Sequence, residues 1–103
     1  MDTYLATVIS NEQVADKIFR IELQGDVVKE MNTPGQFVNI KVSNSYEFLL
    51  RRPISICEIN KEKNTFVMVY RADGAGTKKI SELEVGDLVD VLGPLWKGYD
   101  VYT

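Results

Sequence analysis

Residues 49–56, Leu-Leu-Arg-Arg-Pro-Ile-Ser-Ile, set two arginines and a proline at the head of an apolar alternation. A guanidinium is planar and permanently charged, and its fork of N–H donors matches a pair of phosphate oxygens. Proline lacks the N–H that a ladder needs, so Pro53 marks a strand start or an edge. That places Arg51 and Arg52 at the mouth of a barrel rather than in its wall. Taken singly, each arginine reads more readily as the partner of a surface carboxylate, an interaction of small energy. A second stretch, Tyr70-Arg71-Ala72-Asp73-Gly74-Ala75-Gly76-Thr77-Lys78-Lys79, runs from a strand end through a glycine-rich loop into a helix start. Free backbone N–H groups and the helix dipole favour an anion there. Two glycines alone also make an ordinary turn. The combination is more pointed: Arg51, Arg52, Arg71, Lys78 and Lys79 are five of the 12 basic residues, and all border these two loops. A dinucleotide pyrophosphate would explain that concentration. A third stretch, Val91-Leu92-Gly93-Pro94-Leu95-Trp96-Lys97-Gly98, reads as a strand ending in Gly-Pro, and Trp96 as part of a chain leaving the barrel rather than a ligand contact.

Composition limits what these residues can serve. The chain has 103 residues, 45% hydrophobic and 26% charged, enough for one domain with a modest core. With 12 Lys+Arg against 15 Asp+Glu the net charge is -3, a field that favours neither nucleic acid nor an anionic membrane. An anion site must therefore be local. One cysteine, Cys57, and no histidine exclude an internal disulfide, a Cys/His zinc site and histidine-based catalysis. The opening MDTYLATVIS lacks a basic segment followed by a long apolar one, and no apolar run approaches the roughly 18 residues of a membrane helix. A soluble, cytoplasmic protein is the expectation.

The elements that must position the loops have a dominant period of two. Phe19, Ile21 and Leu23 share one face of Lys17–Gln24, and Arg20, Glu22 and Gln24 the other. Similar strands are expected at Tyr4–Ile9, Phe37–Val42, Ile54–Ile59, Thr65–Tyr70 and Leu88–Leu92. Turn chemistry separates them at Gln24-Gly25-Asp26, Thr33-Pro34-Gly35, Asn60–Asn64, Gly74-Ala75-Gly76 and Val85-Gly86-Asp87. Six closely spaced strands mean an all-β antiparallel barrel or sandwich. One short helix is expected over Lys78–Leu83, with Thr77 as its N-cap and Ile80 and Leu83 on one face plugging a barrel end.

Arg-Pro-Ile-Ser, then Val-Tyr-Arg before Gly-Ala-Gly-Thr, then Gly-Asp-Leu-Val-Asp-Val-Leu-Gly-Pro-Leu resemble the FAD-binding half of the ferredoxin-reductase superfamily. More narrowly they resemble the electron-transfer subunits of NAD-dependent dihydroorotate dehydrogenases, and the likeness runs the whole chain, including Pro-Gly-Gln-Phe-Val at 34–38. It implies a six-stranded Greek-key barrel with one short helix, binding FAD across an open face. On that resemblance Arg52 and the Pro53 that follows it open the flavin motif, with Arg52 on the flavin-side phosphate. Ser55 stands near the flavin N5. Val69, Tyr70 and Arg71 line the ribityl and pyrophosphate, and Gly76 and Thr77 meet the pyrophosphate with backbone N–H groups. Ile54 stands where many superfamily members stack an aromatic ring on the flavin, and Trp96 where the narrower group usually has glycine. A dihydroorotate dehydrogenase catalytic subunit is the implied partner, and pyrimidine biosynthesis the implied pathway.

The family continues into a nicotinamide-binding domain and a cysteine cluster for a two-iron, two-sulfur centre. Residues 1–103 are therefore expected to be a single flavin domain, a fragment or a stand-alone relative, that holds FAD without completing NADH oxidation alone. Two other classes stay open: a small OB-like binding module, which the acidic charge disfavours for single-stranded nucleic acid, and a structural barrel that has lost its cofactor. Leu95, Trp96, Tyr99, Val101 and Tyr102 form a sparsely charged terminal segment. Such an apolar surface seeks a partner, and a homodimer with the segment after Gly93 exchanged is expected.

Overall fold

The computed structural model describes residues 3–32, 35–41 and 51–96. Six antiparallel strands form the wall: β1 (Thr3–Ala15), β2 (Ile18–Gln24), β3 (Gln36–Lys41), β4 (Arg51–Asn60), β5 (Thr65–Arg71) and β6 (Leu88–Trp96). They close in the order β1-β2-β5-β4-β3-β6, the Greek-key barrel expected. Its interior follows the alternation: Ile21 and Leu23 of β2, Val38 and Ile40 of β3, Ile54 and Ile56 of β4, and Phe66 and Met68 of β5 are all buried. Each such side chain contributes roughly 1.5–3 kcal/mol on leaving water, so the inward rows hold the barrel shut. Val42 and the Thr33-Pro34 part of one expected turn lie outside the described residues.

The boundaries differ from expectation by more than one residue at four places. β1 runs six residues past Ile9, carried by pairing with β2 and by a shift in register between Val8 and Ser10. β4 starts at Arg51, so the arginines stand in the first residues of a wall strand, opposite Lys41 and Ile40, and not ahead of it. β6 continues through Gly93 and Pro94 to Trp96. A bulge makes that possible: Leu92 faces Asn39 and Leu95 faces Phe37, so two residues of β6 oppose Val38 alone. Gly93 takes the left-handed φ of 136° this needs, and Leu95 is buried rather than exposed. The other residues of the expected terminal patch fall outside the described set, as does the side chain of Trp96.

The fourth difference is the helix. α1 spans Ala75–Ser81, three residues earlier than the apolar spacing suggested, and Gly74 rather than Thr77 is its N-cap. Thr77 is the third helical residue and reaches back: its Oγ1 accepts from the Gly74 N–H (3.1 Å) and donates to the Gly74 carbonyl (3.2 Å). Back-bonding from that position closes the first turn without a side chain at the cap itself. Ile80 is buried in the core with Leu83 packed against it, so α1 does plug one end. A short 3-10 helix at Asp26–Glu30 was not legible, because Val27 and Val28 follow a turn signal and lack strand alternation; both are buried. Among the described residues no helix is long and apolar enough to cross a membrane.

Candidate functional site

The ladder between β4 and β5 is only half made. It runs from Asn60 opposite Thr65 to Ile56 opposite Met68 and stops there. β4 nevertheless begins at Arg51, and Arg51–Ser55 pair on their other side with β3. β5 ends at Arg71, and Val69–Arg71 pair on their other side with β2. Two strand edges therefore face each other without a ladder, and α1 stands at the head of the slot between them. Backbone N–H and C=O groups are obligatory hydrogen bonders, so an unpaired edge of this kind suits a polar ligand. All nine residues singled out for cofactor binding lie on its borders: Arg52, Pro53, Ile54 and Ser55 on β4, Val69, Tyr70 and Arg71 on β5, Gly76 and Thr77 on α1.

The two arginines have separate fates. Arg51 projects from the outer wall, crosses β3 and binds Asp90 of β6 at 2.6 Å, with further contacts to the Asn39 and Asp90 carbonyls at 3.3 and 3.4 Å. Arg51 is a structural brace. Arg52 shares the face of Ile54 and Ile56 and lies against α1. A methyl group at Gly76 would come within 2.7 Å of the Arg52 Nε and 3.1 Å of its Cγ. Only glycine allows that approach. Arg52 has no carboxylate within ion-pair distance among the described residues; its Nη1 lies 3.5 Å from the Arg51 carbonyl. A half-buried guanidinium with no anion among the described residues, under the first turn of a helix, is a fitting seat for a phosphate.

The other residues offer less uniform material. Arg71 is exposed and paired with Asp73 at 2.9 Å. Val69 is exposed on the outer face, and so are Pro53, Ser55 and Cys57, while Ile54 is buried. Ser55 and Arg52 therefore project to opposite faces of β4, about 10 Å apart along the strand. Tyr70 turns inward: it is buried, stacks on Phe19 with ring centroids 5.8 Å apart, and donates to Asn11 Oδ1 at 3.1 Å. Burial pushes its hydroxyl up to about 12. Its edge toward the slot is thus mainly backbone. No cluster of three or more metal-ligating His, Cys, Asp or Glu side chains occurs among the described residues.

Asn11 had no signal in the sequence. Its amide donates to the Ile80 and Leu83 carbonyls at 3.0 Å each and accepts from Tyr70. It faces the interior because it sits opposite Ile21, a core residue, and cross-strand partners share a face. Strict alternation from Ala6 and Val8 would have turned Ser10 inward instead. The bulge after Val8 changes the parity.

Comparison with known proteins gives the family. A family model described as the oxidoreductase FAD-binding domain matches residues 5–99. This chain belongs to the oxidoreductase FAD-binding domain family. FAD is the cofactor of that family, and the half-open β4–β5 slot with Arg52 and Gly76 at its head fits it. The electron transfer subunit of dihydroorotate dehydrogenase B (NAD(+)) from Bacillus mycoides is 52% identical over 94 residues, which are 91% of this chain and 36% of that protein. The subunit of the same name from Bacillus cereus is 51% identical with the same coverage. This FAD-binding domain thus spans about a third of the length of the curated relatives it matches. Among solved structures, the NADH-dependent reduced ferredoxin-NADP oxidoreductase is 27% identical, with a TM-score of 0.76 over 86% of this chain and 32% of that one. Phthalate dioxygenase reductase, 23% identical with a TM-score of 0.70 over 91% of this chain and 30% of its own, shares the fold.

Proposed function

We propose that this FAD-binding domain belongs to an electron-transfer subunit that passes electrons between a dihydroorotate dehydrogenase catalytic subunit and NAD, in the cytoplasm, as a step of pyrimidine biosynthesis. The observation that carries the reading is the contact of Arg52 with Gly76 at the head of the half-open slot, in a chain 52% identical to a subunit bearing that name. The chemistry FAD supplies when bound is the transfer of electrons between two partners that do not meet directly. The residues of this chain do the holding. Arg52 donates to the flavin-side phosphate with a charge-assisted bond, free of any competing carboxylate among the described residues. The backbone N–H groups of Gly76 and Thr77, in the first turn where no intrahelical acceptor exists, meet the pyrophosphate. The Val69–Arg71 edge lines the ribityl chain, Ile54 backs the slot from the core, and the exposed Ser55 hydroxyl stands for the ring edge.

In this reading residues 1–103 form one FAD-holding domain, and the nicotinamide site and two-iron, two-sulfur centre lie outside it. Titration of the purified chain with FAD and with FMN tests the assignment. FAD should bind more tightly, since only it carries the second phosphate and the adenosine. Equal affinities would remove the pyrophosphate from Gly76 and Thr77.

A further inference from the structure

We infer that Asn11 is a positioning residue for the flavin phosphate, acting through α1 on Arg52. The inference rests on the reading that Arg52 holds that phosphate. Arg52 has no carboxylate to fix its direction among the described residues. What limits it is α1: the backbone at Gly76 lies so close that a single added methyl would meet the guanidinium Nε at 2.7 Å and the stem's Cγ at 3.1 Å. The place of Gly76 is therefore the place of Arg52.

α1 is only Ala75–Ser81, too short to hold its position by itself. Ile80 anchors it from below, but an apolar contact tolerates sliding and rotation. Asn11 supplies direction. Its Nδ2 donates to two carbonyls, that of Ile80 in the last turn of the helix and that of Leu83 two residues past its end, at 3.0 Å each. Both protons of the amide are used: one joins the Leu83 N–H on the Ile80 carbonyl in the last turn, and the other takes the Leu83 carbonyl just past the C-cap Glu82. The Oδ1 is committed to the Tyr70 hydroxyl, and Tyr70 is held by its stack on Phe19. Each partner fixes which way the amide points, so β1, β2 and β5 together hold one end of α1 while the other end braces Arg52. These contacts join residues 59 to 72 positions apart. A residue that only filled space would not need them.

A double-substitution cycle in FAD affinity tests this, using the full chain and fluorescence titration. Asn11→Asp keeps the size and the acceptor for Tyr70 but loses both donors to α1. It should weaken FAD binding about 3- to 10-fold, the scale of a lost hydrogen bond. In the Arg52→Ala background the same substitution should change FAD affinity less than twofold, because the residue it positions is gone. Equal fold-losses in the two backgrounds, or no loss in either, overturn the inference and leave Asn11 as a general support of the barrel. Arg52→Ala binding FAD as tightly as the parent chain overturns the phosphate assignment itself, and this inference with it. Should Asn11→Asp fail to fold by near-ultraviolet circular dichroism, Tyr70→Phe replaces it. That variant removes one bond to the same amide and should lose about twofold in the parent background and nothing beside Arg52→Ala; equal losses in both overturn the inference.

Discussion

Arg51 and Arg52 are neighbours in sequence, identical in chemistry, and opposite in use. Alternation sends Arg51 to the outer wall, where Asp90 receives it at 2.6 Å and two carbonyls lie against its Nη1. The same alternation sends Arg52 under α1, where glycine makes room and no carboxylate answers among the described residues. One guanidinium is paired within the fold and the other meets no carboxylate among the described residues. Charge alone does not distinguish them; the availability of a local counter-ion does.

The sharpest break of that contrast is Arg52→Ala. Losing a charge-assisted bond should weaken FAD binding by about 1.5–3 kcal/mol with the melting temperature nearly unchanged. A lower melting temperature with unaltered FAD affinity would make Arg52 a second brace. On the neighbouring strand β5, Tyr70 gives an alkaline signature. With its hydroxyl pushed up to about 12 in the fold from an ordinary 10.0, stability is full below pH 10, because folded and unfolded chains are both protonated. It falls as the unfolded chain ionises first, by about 2 kcal/mol at pH 12. Denaturant midpoints between pH 9 and 12 should show this slope in the parent, and Tyr70→Phe should remove this residue's share of it.

Gly76→Ala should push the Arg52 side chain aside, costing about 1–2 kcal/mol of FAD affinity, measured by titration, with little change in helix content. A gain in affinity would mean that the close approach is incidental. Arg51→Ala completes the pair at the lower end: about 1 kcal/mol of stability, or several degrees in melting temperature, with FAD affinity untouched. The partly exposed setting of the Arg51–Asp90 pair, with side chains 23% and 33% accessible, keeps that figure small.

The strands and the barrel were legible because inward rows such as Ile21–Leu23 and Val38–Ile40 obey a period of two that survives folding. The glycine loop and Arg52 were legible as a pair because both are unusual for a plain barrel. Which arginine would face which way was not, since Pro53 suggested a strand start two residues too late. The helix start was missed because Gly-Ala-Gly carries turn chemistry, while the demand for glycine at Gly76 comes from Arg52, 24 positions away in the chain. Asn11 stayed hidden for a different reason: a bulge resets parity, and nothing local announces a bulge whose consequence is a contact with Leu83, 72 residues on.

The β4–β5 ladder that ends at Ile56 and Met68 has a mechanical consequence. The barrel is closed as a ring but zipped along only part of this seam, so heat or denaturant would part the wall there first, from the α1 end downward. Opening of that kind is local and reversible. A cofactor lying in the seam would act as the missing stitches, and slowed amide exchange of Ser55 and Val69 on adding FAD would show the zip being drawn shut.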